Sequence, residues 1–309
     1  MAGYIFRRFL QAVPVFFGTT LLIYFMTFAM PGDPIIAMFG QRTPNPALVE
    51  SLRAQYHLDQ PFIVQYFIYI GGIFRGDFGV SFSGEPISQV LARTFPVTAQ
   101  LAMIAIIFQA FFGILVGLVA GLRKGKLFDA NSLAVGLILI SLPIFVIAFV
   151  AQYVFGIWLG WARTTVGVGA PIQDLILPGL VLASASFAQI MRLTRESVIE
   201  TSGMDFVRTA YSKGLSRRRI IPVHILRNSL IPVVTYLAVD FGVLLVGATI
   251  TEGIFNVPGV GNTLFQAILR GENPTVVSFV TIMVLLYLAV NLVVDLFYGL
   301  LDPRIRYVK

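Results

Sequence analysis

Long apolar runs separated by short charged segments fill most of this chain. An apolar run near twenty residues crosses a bilayer as a helix. Six runs predict such spans: Phe9–Met30, Val97–Leu122, Ser132–Leu159, Leu175–Ile190, Ser229–Thr251 and Val276–Leu300. The fourth is the shortest. Its stretch IQDLILPGLVLASASFAQIM contains Pro178, Gly179 and several small residues, the composition of close helix contact inside a membrane. Arg7 and Arg8 precede the first run, but that run exceeds the apolar core of a cleavable leader, so it reads as a retained anchor.

Composition agrees with the pattern. The 309 residues are 57% hydrophobic and only 12% charged, with mean hydropathy +0.85. Soluble domains carry about 25% charged residues, so a soluble globular class is excluded. Nothing in the chain marks a separate soluble domain or a repeat. One transmembrane domain over 1–309 is expected, with an outward insertion at 31–96 and an inward loop at 191–228.

The net charge is +7. Its distribution explains it. Sixteen Lys and Arg fall at the N-terminus, the second and fourth connections and the tail, against six in the alternate connections. Positive residues stay on the cytoplasmic side, so six crossings place both termini in the cytoplasm. The basic excess follows topology, and a nucleic-acid partner is not required. The chain has no cysteine and two histidines, His57 and His224, far apart in sequence. This excludes a disulfide frame, a thiolate metal site and a cysteine nucleophile, and a histidine metal site is not expected.

The inward loop is patterned. Arg192 to Arg227 holds eight basic and three acidic residues, and burying them in lipid would cost on the order of 30 kcal/mol. Ser202 or Asp205 is placed to cap a helix start. Phe206, Val207 and Ala210 recur about one turn apart. Gly214 suits a left-handed helix end, Ser216 a new start, and Pro222 a limit on how far that second helix runs. A solvated face against anionic lipid heads and a docking element for a cytoplasmic partner both fit this pattern.

The loop resembles the signature of bacterial ABC-importer permeases: E-A-A, three residues, Gly, nine residues, I-x-L-P. Arg208, Thr209 and Ala210 occupy the first three positions, and Gly214 is the glycine. His224-Ile225-Leu226-Arg227 fall where I-x-L-P would, so Arg replaces both the Glu and the Pro. The stretch VRTAYSKGLSRRRIIPVHILRNSLIPV is similar to the dipeptide/oligopeptide-permease variant, which shares these departures. The resemblance spans almost the whole chain, through MPGDP, YHLDQPFIVQY, GDFGVSF, TFPVTAQLA, EGIFNVPGVG and LDPRIRY in order. It fits the first permease subunit of such systems, the one with a long outward segment after span one.

The resemblance implies an all-α polytopic protein with the ABC type I importer architecture. It also implies a second homologous permease, two ATPase domains and an extracytoplasmic substrate-binding protein, in a bacterial inner membrane. Asp205, Phe206, Arg208, Thr209, Ala210, Lys213, Gly214 and Leu215 would form the helix that couples to an ATPase. The chain lacks G-x-x-x-x-G-K-[ST], so ATP and Mg are expected on partner subunits, with no cofactor here. Relatives implied by this signature carry dipeptides, oligopeptides, glutathione or nickel complexes.

Outside the loop, Asn45–Tyr56 has helical spacing, and Phe62–Phe74 is apolar but too short to span, so it lies in the interface or in the core. GDFGVSF reads as a turn, and Thr251–Phe265 as a re-entrant or capping loop. Glu252 either meets a peptide amino group at the mouth of the path, pairs with Arg270, or faces water. Asp240, mid-way along the fifth span, either lines the path or hydrogen-bonds Thr235, Tyr236 or a neighbouring helix. Asp295 with Asn291 reads as structural, and Ser184 and Ser186 as small packing residues. A secondary carrier would need a midplane site of broken helices. An intramembrane enzyme would need a nucleophile or metal motif, and neither G-x-S-x-G nor H-E-x-x-H is present.

Overall fold

A computed structural model describes residues 2–28, 35–36, 45–55, 59–81 and 83–301, without the side chains of 2–6, 48, 52, 55, 246–247 and 295–301. The described secondary structure is helical apart from one isolated bridge between Val80 and Pro86. Among the described residues, five helices are long and apolar enough to cross a membrane, or six spans if one bent pair counts as a single crossing. The chain forms two compact units, residues 1–98 with 258–309, and residues 99–257.

In the first unit, α1 (Ala2–Phe28) lies along α13 (Asn273–Leu301). The outward insertion contributes α2 (Pro46–Gln55) and α3 (Phe62–Phe74), both at the positions expected from spacing. The core-packing reading of α3 holds for one face: Tyr66, Ile70 and Ile73 join Phe16, Tyr24 and Val277 in an apolar cluster, while Phe67 and Phe74 stay exposed. Tyr66 and Thr20 hydroxyls lie 2.9 Å apart, and Tyr69 donates to Thr281 at 2.7 Å. Burial pushes the Tyr69 phenol well above its ordinary value, which keeps it a neutral donor. In GDFGVSF, Gly76 and Gly79 have positive φ and Asp77 Oδ1 accepts from Gly79 N–H at 2.9 Å, so the segment is a turn. The unit also holds α12 (Val260–Leu269), whose first amide donates to Thr98 Oγ1 at 2.9 Å.

α4 (Ile87–Leu122) runs from the first unit into the second. It begins ten residues before the expected span and passes through Pro96. Later elements also depart from the expected spans. The run expected as one crossing, Ser132–Leu159, is broken: α5 (Leu127–Ser141) and α6 (Ile144–Ala151), continued by a π-helical turn at Gln152–Trp158, meet at 103°. Pro143 explains the break. Its ring drives the preceding residue out of the helical region, and Leu142 is extended at φ −90°, ψ 129°.

α7 (Ile172–Ser202) is almost twice the expected fourth span. Residues 192–202, expected as loop, extend the helix into the charged region. Likewise α9 (Arg217–Ile220) runs through a π-helical turn, Ile221–Leu226, into α10 (Arg227–Gly247). Pro222 therefore does not stop the helix. It sits at the head of the π-helical turn, where the wider hydrogen-bonding pattern accommodates the missing N–H. The expected fifth span ends early, and α11 (Thr249–Phe255) follows as a separate helix ended by Asn256 at φ +50°.

Glycines set how closely α7 approaches its neighbours. A Cβ on Gly117 would stand 2.5 Å from the Met191 carbonyl oxygen, and one on Gly121 2.9 Å from that of Arg195. Gly113 meets Ile190 in the same row, Gly179 meets Ile104 at 2.5 Å, and Gly136 of α5 meets Met191 at 2.7 Å. Backbones this close are the small-residue packing that lipid-buried helices use. The N-terminal end of α7 is fixed by buried Asp174, which accepts from Arg163 and from Gly167 N–H, each at 3.1 Å.

Candidate functional site

The inward loop folds into α8 (Asp205–Ser212), a short helix beneath the extended end of α7. Its spacing puts Val207 and Ala210 on one face. Both are buried in a small apolar cluster with Val198 of α7, Ile220 of α9 and Ile225, and Leu215 packs at its edge. The other faces carry Asp205, Arg208, Thr209 and Lys213, all exposed. Phe206 is 40% exposed and Tyr211 44%. Phe206 therefore does not share the buried face with Val207 and Ala210, as its spacing predicted.

The helix ends are only partly as expected. Neither Ser202 nor Asp205 caps α8. Met204 is the cap residue, without a side-chain bond, while Ser202 Oγ donates to Val198 O at 2.6 Å. Asp205 instead opens the first turn, which the helix dipole favours, with Arg208 3.6 Å away in an exposed pair of little energetic weight. The C-terminus follows the prediction. Gly214 has φ +74°, its N–H donates to Tyr211 O at 2.9 Å, and Leu215 N–H reaches back to Ala210 O at 3.3 Å. This is the glycine-closed helix end that turns a chain sharply. Ser216 then precedes α9, with Arg219 and Ile220 amides donating to its carbonyl at 2.9 and 3.0 Å.

Asp240 lies in α10, 6% exposed. Gln109 of α4 donates to its Oδ2, and Ser186 of α7 donates to Oδ1 at 2.8 Å. The carboxylate thus ties three helices. Neither partner is evident from sequence: Ser186 has the character of small-residue packing, and Gln109 lies in an apolar run with no periodic signal. Glu252, in α11, is fully buried. The water-facing alternative is therefore wrong. Gln152 joins the outer elements of the same unit, donating to Thr164 O at 2.7 Å and Ile254 O at 3.0 Å. The structure does not gather Asp205–Leu215, Asp240 and Glu252 into one pocket: α8 is a surface element, while the two acids are buried in other helices. The side chain of Asp295, and residues 30–34, 56–58, 82 and 302–307 of the resemblance motifs, lie outside the described residues.

Comparison with known proteins gives this arrangement a context. Residues 113–307 match the family described as binding-protein-dependent transport system inner membrane component, and residues 1–102 match the N-terminal component of such systems. The chain is 36% identical to the di/tripeptide transport system permease protein DppB of Pseudomonas aeruginosa, with 99% of each chain covered. It is 36% identical to the dipeptide transport system permease protein DppB of Escherichia coli K12, with 100% of each covered. The chain belongs to the ABC-importer permeases of the dipeptide/oligopeptide class. The permease is a multi-pass membrane protein and one component of a transporter complex. Its signature glycine, Gly214, closes the short helix α8, which offers aromatic side chains outward.

Proposed function

We propose that the permease is the first transmembrane subunit of an ATP-driven importer of di- and oligopeptides. It crosses the bacterial cytoplasmic membrane six times, with the bent pair α5–α6 counted as one crossing and both termini inside. With a second homologous permease it forms the translocation path. Two ATPase domains, which hold ATP and Mg, lie beneath, and an extracytoplasmic binding protein delivers peptide to the outward insertion and the Thr251–Phe265 segment. The permease itself performs no catalysis.

The observation that supports this reading most is the two-faced character of α8. Its inner face is held by Val207 and Ala210 in the apolar cluster with Val198, Ile220 and Ile225, so it is not free to flop. Phe206 and Tyr211 stay exposed at the two flanks of that buried stripe, with Asp205, Arg208 and Thr209 on the face between them, in a loop too polar for lipid. Exposed aromatics beside charged groups are the makings of a protein interface. Seated in an ATPase cleft, α8 acts as the handle of a rigid lever. Asp240 serves within this scheme as the knot joining α4, α7 and α10. Glu252 keeps a place at the outer mouth of the path.

Deleting the gene for this chain is expected to abolish ATP-dependent uptake of labelled dipeptide and tripeptide, with recovery on complementation. Uptake that persists after ATP depletion would place the chain among secondary carriers. Uptake of glutathione or a nickel chelate in place of peptide would move the substrate class.

A further inference from the structure

Asp129, in the first turn of α5, and Arg195, two turns before the end of α7, form a partly buried ion pair between the two helices. Asp129 is 3% exposed. The guanidinium addresses the carboxylate as a fork: Nε donates to Oδ1, and Nη2 donates to Oδ2 at 2.8 Å. Gly125 N–H, at φ +78° in the turn before α5, donates to Oδ2 at 2.8 Å as well. Bidentate pairs of this kind fix orientation as well as distance.

The location of the pair gives it a mechanical consequence. Arg195 lies beside the apolar cluster that α7 and α8 share: Val198, one turn on, belongs to it with Val207 and Ala210. The backbone of Arg195 is also where Gly121 of α4 comes close. Asp129 stands at the inner end of α5. Elsewhere α5 and α7 meet through apolar contact at Gly136, Ala188 and Met191, which permits sliding. The ion pair is directional and does not. From α5 the chain turns at Pro143 into α6, which packs against α11, and α7 also packs against both. Gln152, just beyond α6, bonds the carbonyl of Ile254 in α11.

We propose that Asp129 and Arg195 are positioning residues for transport: they lock the inner ends of α5 and α7 into one body. Movement delivered to α8 then reaches α6 and α11 at the outer side, and is not lost as slippage of α7 past α5. This rests on the reading that α8 takes its movement from an ATPase.

Two measurements on the assembled transporter test it. In proteoliposomes, Asp129→Asn keeps size and shape but removes the charge. Peptide taken up per ATP hydrolysed is expected to fall at least about fivefold, the lower end of ordinary coupling energies, while Asp129→Glu stays near wild type. An unchanged ratio in Asp129→Asn, or an equal loss in both variants, would overturn the proposal. The second measurement needs no altered ion pair. Spin labels on cysteines replacing Val135 of α5 and Glu200 of α7, both exposed, are expected to hold one distance in nucleotide-free and nucleotide-trapped complex. A distance that changes between those states would overturn the lock even if Asp129→Asn does not assemble. Absence of ATP-driven peptide uptake by the wild-type complex would count against the importer reading, with the spin-label distances still deciding the lock.

Discussion

Ser186 Oγ in α7 donates to Asp240 Oδ1 in α10 at 2.8 Å, while Gln109 from α4 occupies the other carboxylate oxygen. An acid mid-way through a span is expensive in lipid and persists where other groups bond it. Asp240→Asn keeps one acceptor and loses the other, so it is expected to cost about 1 kcal/mol, in the range of interhelical hydrogen bonds in membranes. Asp240→Leu leaves both donors unmatched and costs more. Thermal unfolding in detergent measures both. Uptake per folded molecule should stay within about twofold in Asp240→Asn, because a loss this small changes little but abundance. Lost uptake at unchanged stability would show that the carboxylate works on the transported peptide.

The glycine row on α4 separates two kinds of glycine. Gly117→Ala drives a Cβ to 2.5 Å from the Met191 carbonyl, and backbone has to move. A destabilisation of about 1–3 kcal/mol is expected, as for overpacked cores. Gly18→Ala in α1 meets nothing within 4 Å. It should be neutral or stabilise by about 0.5–1 kcal/mol through helix propensity. Comparing the two midpoints checks the packing directly, because both changes add one methyl group to a helix.

Gly214 is a third case. A side chain there has open space, so strain comes only from φ +74°. A β-branched residue in that region costs at least about 1–2 kcal/mol, enough to reopen the turn after α8. Gly214→Val is expected to hydrolyse ATP with reduced peptide uptake, and Gly214→Asn, which tolerates the left-handed region, to retain most of it. Equal coupling in the two variants, measured as uptake per ATP at matched expression, would remove the turn from the mechanism.

Much of the fold is legible in the sequence because lipid simplifies the signal. The apolar runs mark the long helices, and Gly214, Ser216, Val207 and Ala210 mark α8 and its turn. The departures have local causes. Pro143 lies inside a run that is continuous by hydropathy, yet it breaks α5 from α6. Arg192 and Arg195 have the character of a loop, because hydropathy does not register a helix that leaves the bilayer still wound. Pro222 has the character of a stop, and a π-helical turn absorbs it. Asp240 is visible in the sequence, but its partners Gln109 and Ser186 lie 131 and 54 residues away, separations that no local pattern reports.

The central claim is that an ATPase grips α8, and cysteine crosslinking tests it most directly. The chain has no native cysteine, so single cysteines replacing Phe206 or Tyr211 carry a thiol-specific photocrosslinker without background. In the assembled transporter both positions should attach to an ATPase subunit, while Trp161→Cys, more exposed than either but in the connection before α7, should not. Labels at Phe206 and Tyr211 that reach only lipid or solvent, in a complex that still contains its ATPases, would contradict the account.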